Sequence, residues 1–338
     1  MNLINMKLSL TLACNLYDRT VPLLGGLVCP DGIDLNYLVL EPSQIFRRQA
    51  RYAEFDVAEF SLATYAVLHA RGDRRLVAIP VFPSRRFRHS NIYVNADAGI
   101  REPRDLAGKR VGAQEYQQTA GVWARGILQH DHGVGADQME WYFGAYNNVE
   151  PFVERVPIQL PPAIHSRTIA ADQCLDQMLE RGEIDALIGS ALPASLRRGS
   201  SHVARLFPGF REEEVAYYRR TSIFPIMHTV VIKREIYAEA PWVAVSLYKA
   251  FERSKALAVR RLWNAETLFA ALPWLAAHLE ETEAVVGRDP FVYGLEANRH
   301  VLEPFLQYCL EQGLTERPLT LEELFAPETH AAVDLTDP

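Results

Sequence analysis

The chain has 338 residues, 49% hydrophobic and 23% charged, with a formal net charge of −7. That length and composition suit one large globular domain or two medium ones, and the acidic balance argues against nucleic acid or an anionic membrane as the main partner. Four scattered cysteines, Cys14, Cys29, Cys174 and Cys309, form no CxxC pair, which argues against a zinc site and a disulfide framework, and no apolar run is long enough to span a membrane.

Leu8, Leu10 and Leu12 alternate with Ser9 and Thr11, the period of a half-buried strand. The apolar stretch is too short for a leader and follows a single nearby basic residue, so Lys7–Ala13 is predicted as the first strand of a cytoplasmic protein. The polar run Tyr17, Asp18, Arg19, Thr20 then sits at a strand's C-terminal end, where ligands of open α/β sheets collect. Further strands are predicted over Ile33–Leu40, Phe55–Phe60 and Leu76–Val81, the last apolar throughout as buried parallel strands are. Helices are predicted from Pro42 to Arg51 and from a Ser61 cap to Ala70.

Beyond Pro103–Leu106, a short helical turn, strands are expected over Arg110–Gln114, Gln138–Phe143 and Ile184–Ile188. Helices are expected over Gln117–His130 and Gln173–Arg181, then over Pro241–Arg260, Leu268–Glu280 and Ala297–Gln312, with a loose tail after Pro327. Two segments frame the middle of the chain. Phe82–Val94 and Phe224–Ile232 each open with Phe-Pro and run into a β-rich stretch that carries one histidine. They read as two strands crossing a hinge. Lobe one is residues 1–92 plus 226–338, lobe two is residues 93–225, and a ligand cleft lies between them. Arg85, Arg86 and Arg88 beside His89 point to an anionic ligand and proton chemistry there.

The residues Tyr17–Thr20, Pro30–Tyr37, Ala78–Arg85, Phe87–Ser90, Asp105–Gly112, Ala216–Thr221 and Ile223–Ile232 carry a resemblance. The pattern resembles the two-lobed α/β fold of type II periplasmic binding proteins. More narrowly it is similar to the 4,5-dihydroxyphthalate decarboxylase family, which uses that fold as an enzyme. The chain departs from the family pattern at Gln114, across Tyr142–Asn148 and across Gly189–Pro193, all in lobe two. The resemblance implies a carboxy-lyase acting on 4,5-dihydroxyphthalate or a related dihydroxybenzoate, in aromatic and phthalate catabolism. It implies no redox cofactor.

Direct loss of CO2 from an aromatic ring leaves a carbanion that the π system cannot delocalise. Protonating the carboxylate-bearing ring carbon first avoids this, with a ring hydroxyl supplying electron density. His89 and His228 are the candidate proton donors, and Glu115 a further acid or base. If Arg86–Asn91 is extended, Arg86, Arg88 and Ser90 share one face while His89 points inward on the other. Arg85, ahead of that strand, is expected to be the arginine freest to grip a carboxylate. Arg19 is a second candidate carboxylate contact, with Asp18 or Glu59 orienting a histidine. Ser61, Tyr116, Thr119 and Thr229 complete the expected substrate contacts, although Ser61 and Thr119 are equally suited to capping their helices.

No metal is assigned. A divalent ion held by His89, His228 and Glu59 or Glu115 is the weaker alternative, since no HxH or HExxH spacing supports it. No GxGxxG or phosphate-binding Gly-Lys-Ser/Thr motif is present, which argues against dinucleotide or ATP chemistry. The rival reading is a solute-binding protein or cytoplasmic sensor for a small aromatic anion, on the same fold. The expected partner is a small aromatic carboxylate, with no nucleic acid and no membrane. Both a monomer and a homo-oligomer stay open.

Overall fold

The computed structural model describes residues 7–264 and 266–331. The first strands form where alternation or a continuous apolar run predicted them: β1 is Leu8–Cys14, β2 Ile33–Val39 and β3 Val57–Ser61. β4 runs over Leu76–Arg85, four residues further than its apolar run suggested. Then come β5 Ile92–Asn95, β6 Arg110–Ala113, β7 Glu140–Phe143, β8 Ser166–Thr168, β9 Ala186–Ile188, β10 Val203–Arg205 and β11 Ile226–Lys233. The strands make two sheets, ordered β2-β1-β3-β11-β4 and β10-β5-β9-β6-β7-β8.

The sheets belong to two units. Among the described residues the first comprises 7–85, 226–264, 266–303 and 319–331; the second comprises 86–225 and 304–318. The expected division put residues 86–92 and 304–318 with the first lobe, whereas their packing puts them with the second. The chain therefore passes between units four times. Two of the crossings adjoin: Ile226 pairs with Arg85, and Arg86 N donates to Pro225 O at 3.0 Å.

In the first unit β1 runs parallel to β2 and β3, and β11 runs antiparallel to β3 and β4. The expectation of a buried parallel strand at Leu76 is thus corrected: β4 is an antiparallel edge strand. Its edge position tolerates Pro80 and Pro83, which cannot donate to a ladder. The exposed side of that edge is covered by later chain. Gly294 N donates to Pro80 O at 2.9 Å and Ala326 N to Ala78 O at 2.8 Å. An edge covered in this way is buried without being central, which explains its apolar sequence. The helix Leu62–Ala70, capped by Ser61, is buried along almost its whole length, and Tyr65 donates to Leu324 O at 2.5 Å.

In the second unit β9, β6, β7 and β8 are parallel, and β5 is antiparallel to β9 and β10. Tyr93, Leu175, Leu179, Ile184, Leu187 and Val203 form part of its core. The helix Phe210–Thr221 has too few apolar side chains for periodicity to find it. Leu268–Glu280 is helical only from Leu275, and that helix runs on to Val286. Among the described residues no helix is long and apolar enough to cross a membrane.

Arg85 corrects a second expectation. It is only 8% exposed, and its guanidinium donates to Val292 O and Asn298 Oδ1, so it braces the segment that covers β4. Arg85→Met should therefore lower folding stability by about 2–3 kcal/mol, the range for losing charge-assisted hydrogen bonds to buried acceptors. Urea unfolding measures this; an unchanged midpoint would show that the brace contributes nothing.

Candidate active site

The three first-sheet strands β1, β3 and β11 bring their chemistry to one end of that sheet. Ala13 pairs with Ala58, which sets Cys14 beside Glu59. Val230 pairs with Glu59, so His228, two residues along, is its diagonal neighbour on the same face. The pairing of β11 with β4 is irregular on both sides of His228. Such irregularities re-aim a side chain, and this one turns the histidine onto the glutamate.

Glu59 is 0% exposed and its carboxylate is fully engaged. Oε1 lies 2.5 Å from His228 Nδ1 and accepts the Tyr17 hydroxyl at 2.5 Å. Oε2 accepts Asn15 N at 3.0 Å and faces Cys14 Sγ at 3.6 Å. Burial by itself raises the Glu59 pKa. The His228 charge and hydrogen bond, with those from Tyr17 and Asn15, outweigh it and hold the carboxyl below its ordinary value. Burial and the same carboxylate push both the Tyr17 hydroxyl and the Cys14 thiol up, so both stay protonated. The His228 side chain keeps 17% exposure, and its ring packs edge-on against Phe46 with centroids 4.8 Å apart. With Nδ1 on Glu59, the nitrogen left to exchange a proton is Nε2.

Arg19 closes this end of the sheet. Its Nε donates to Pro83 O at 2.7 Å, Nη1 pairs with Asp18 at 2.9 Å, and the guanidinium is stacked between Tyr17 and Phe291. Asp18 thus shapes the turn, and Glu59 is the carboxylate that orients the histidine. Ser61 caps its helix, accepting Thr64 N at 3.4 Å, and Thr229 donates to Ile79 O at 2.9 Å.

The remaining expected residues lie in the second unit. Arg86–Asn91 is not extended: His89–Asn91 forms a single 3-10 turn, which separates Arg88 and His89 by rotation and not by strand alternation. His89 is 3% exposed, wedged between Phe207 and Tyr217 with Nδ1 buried and without a hydrogen-bond partner among the described residues. Burial pushes its pKa down to about 4, so it is neutral near pH 7. It lines a pocket of about 360 Å³ with His130, Asp131, His132, Tyr217 and Arg220. Glu115 is committed to Arg155, accepting its backbone N–H at 2.8 Å and facing Nη2 at 3.1 Å. Tyr116 donates to Gln312 O at 3.2 Å, and Thr119 is buried at the helix start. Ser90 spends its backbone N–H on Glu214 at 2.9 Å. Arg88 is buried.

Sequence reasoning named His228 and Glu59, and Tyr17 only as part of a polar run, but not Asn15 or Cys14, which the structure brings to the same carboxylate. The available signal was their place one to four residues before or within the first polar turn after β1, level with Glu59 on the adjacent parallel strand. Among the described residues no group of three or more His, Cys, Asp or Glu side chains could hold a metal ion.

A 4,5-dihydroxyphthalate decarboxylase from Comamonas testosteroni is 39% identical over 321 residues, covering 95% of this chain and 97% of that protein. The chain belongs to the 4,5-dihydroxyphthalate decarboxylase family. It is accordingly an enzyme of the carboxy-lyase class. A second member, from Pseudomonas putida, is 38% identical over 216 residues, covering 64% of this chain and 83% of its own. No protein-family model matches the chain. Among solved structures, the periplasmic aliphatic sulphonate binding protein SsuA of Escherichia coli matches with TM-score 0.54 at 13% identity, over 96% of this chain and 99% of its own. The desulfurization enzyme DSZB matches with TM-score 0.51 at 17% identity, over 96% and 98% respectively. These likenesses show that the chain adopts the two-lobed type II periplasmic-binding-protein fold.

The Glu59 geometry carries a pH dependence. A carboxyl whose folded pKa is lowered contributes stability at pH values above its unfolded pKa, about 4.3 for glutamate, and loses it as pH falls through its own lower value. Glu59→Gln should therefore flatten the acid limb of a Tm-versus-pH curve below about pH 4.3. Parallel acid limbs in wild type and variant would contradict the assignment.

Proposed function

We propose that the protein decarboxylates 4,5-dihydroxyphthalate or a closely related dihydroxybenzoate, with His228 as the proton carrier and Glu59 as its orienting carboxylate. The substrate class is supported by the 39% identity to the Comamonas testosteroni enzyme across nearly both chains. The observation that carries the mechanism is the Glu59–His228 contact of 2.5 Å, buried on the glutamate side and open on the histidine side.

The chemistry follows from what a ring carbon needs. Electron density from a ring hydroxyl, released as its proton is shared with a base, builds up at the carboxylate-bearing carbon. His228 delivers a proton from Nε2 to that carbon, forming a C–H bond. The C–C bond to the carboxylate then breaks, CO2 departs, and the bonding pair returns to the ring as aromaticity is restored. His228 regains its proton from solvent. Glu59 holds Nδ1 through the cycle, and Tyr17 and Asn15 hold Glu59, so the imidazole presents Nε2 in one orientation. Neither a redox cofactor nor a metal enters these steps.

His89 is the weaker candidate. A histidine pushed down to about 4 holds little proton at neutral pH to donate. The pair of histidines therefore has unequal roles in this reading.

Three measurements test it, with CO2 release and product identification over hydroxylated benzoates and phthalates as the assay. His228→Gln should lower kcat by roughly 10²–10⁴-fold with little change in KM, the signature of lost general acid catalysis. His89→Gln should cost far less; the reverse ranking would move the proton donor to the second unit. Turnover should survive exhaustive chelation, and loss restored by one divalent metal would replace this mechanism with a metal-assisted one. Ligand binding without CO2 release from any ring would favour the solute-binding reading.

A further inference from the structure

We propose that Arg88 is the anchor of an oxyanion site on the second unit, and that the oxyanion it takes is a carboxylate of the aromatic substrate. This deepens the decarboxylase reading and rests on it.

Arg88 is 3% exposed, and its Nε and Nη1 are sealed from solvent with no hydrogen-bond partner among the described residues. A single buried guanidinium nitrogen without a hydrogen bond is not peculiar to Arg88, since Arg125 Nη1 is another. The difference is that the other buried arginines also reach acceptors: Arg85 donates to Val292 O and Asn298 Oδ1, and Arg125 donates to Gln312 Oε1 at 2.8 Å and to Tyr116 O at 2.5 Å. A guanidinium offers five N–H donors in a fork that matches a carboxylate, and a buried cation without such a partner is strongly unfavourable. Burial, with the like charge of Arg86 adding to it, pushes the Arg88 pKa down to about 9, which still leaves the group charged at neutral pH.

The surroundings do not supply the missing negative charge. The titratable groups that act on Arg88 are Arg86, Glu214, Tyr93 and Tyr146. Glu214 makes no ion pair with it; that carboxyl accepts Ser90 N at 2.9 Å, and burial raises its pKa. Arg86 is exposed, and its Nη1 lies 3.3 Å from Ser190 O. Gln118 Nε2 donates to Ser190 Oγ at 3.3 Å, and the Tyr146 hydroxyl donates to Ala191 O at 2.8 Å. Gly189 permits that last contact, since a Cβ there would sit 2.1 Å from the Tyr146 oxygen. Ser190 and Ala191 follow β9, and Gln118 follows β6, so these groups stand at the C-terminal ends of adjacent parallel strands. Ligands of open α/β sheets collect at such ends. Two cations, polar side chains and one preoccupied carboxylate make a place for an anion.

The test uses the full chain with phthalate (benzene-1,2-dicarboxylate) and sulfate as probes, measured by calorimetric titration and thermal shift. Arg88→Met should weaken phthalate binding at least about tenfold, as loss of a desolvated charged contact does. Its ligand-free Tm should equal or exceed that of the wild type, because an apolar side chain of similar size replaces an unpaired buried charge. Arg88→Lys should recover only part of the affinity, since an ammonium lacks the two-pronged geometry. Unchanged phthalate affinity in Arg88→Met would overturn the proposal, as would a fall in ligand-free Tm in both variants with affinity retained. Sulfate binding as tightly as phthalate, and as dependent on Arg88, would overturn the assignment to substrate and leave a site for free oxyanions. Arg88-dependent phthalate binding, together with no CO2 release from any hydroxylated benzoate or phthalate, would sink the decarboxylase reading and keep the anchor. CO2 release with an unchanged KM in Arg88→Met would do the opposite.

Discussion

A carboxylate buried with no exposure must have every oxygen satisfied, and much of the first unit is arranged around that demand at Glu59. Asn15 N and the Tyr17 hydroxyl can reach it only if the chain turns sharply after β1. The same turn places Asn15 O to accept Tyr37 from β2 at 2.9 Å and Arg19 O to accept Ser254 at 2.8 Å. Arg19 then ties the turn to β4 through Pro83 O. Removing one donor would leave a buried charge short of a partner, which is far more damaging than losing an exposed hydrogen bond. The turn after β1 and the ends of β1, β3 and β11 thus meet at a single ionised side chain.

That constraint also separates the two histidines. Both sit in similar Phe-Pro segments, and both have aromatic neighbours. His228 has a carboxylate on one nitrogen and an open edge, the pairing that lets an imidazole pass a proton in a fixed direction. His89 is buried with no carboxylate bonded to its ring, and burial outweighs the nearby Asp131 charge, which removes its proton near neutral pH. Identical side chains therefore stand in different surroundings, one bonded to a carboxylate and the other buried between aromatic rings.

The arginine cluster divides in the same way. Arg85 ends β4 and finds two carbonyl-type acceptors in the segment that covers it, so it serves the fold. Arg88, three residues on, belongs to the second unit and finds none for its buried Nε and Nη1.

Much of the fold was legible in the residues. Alternation at Leu8–Leu12, the apolar run at Leu76 and the Ser61 cap each report a local rule of period or capping that needs no distant partner. The α/β class, the noncontiguous lobes and the family followed from motifs spread along most of the chain. Helix Phe210–Thr221 was missed because its face toward the core is too narrow to make a period. β4 was misread as parallel because burial by the segments near Gly294 and Phe325 imitates burial between strands. Site chemistry was legible only as a set of candidates. Which carboxylate meets His228 and which arginine is spent on the fold depend on contacts between residues 169 and 213 positions apart in the chain. Those are set by strand register and by desolvation, and neither is a property of any residue until the chain has folded around it.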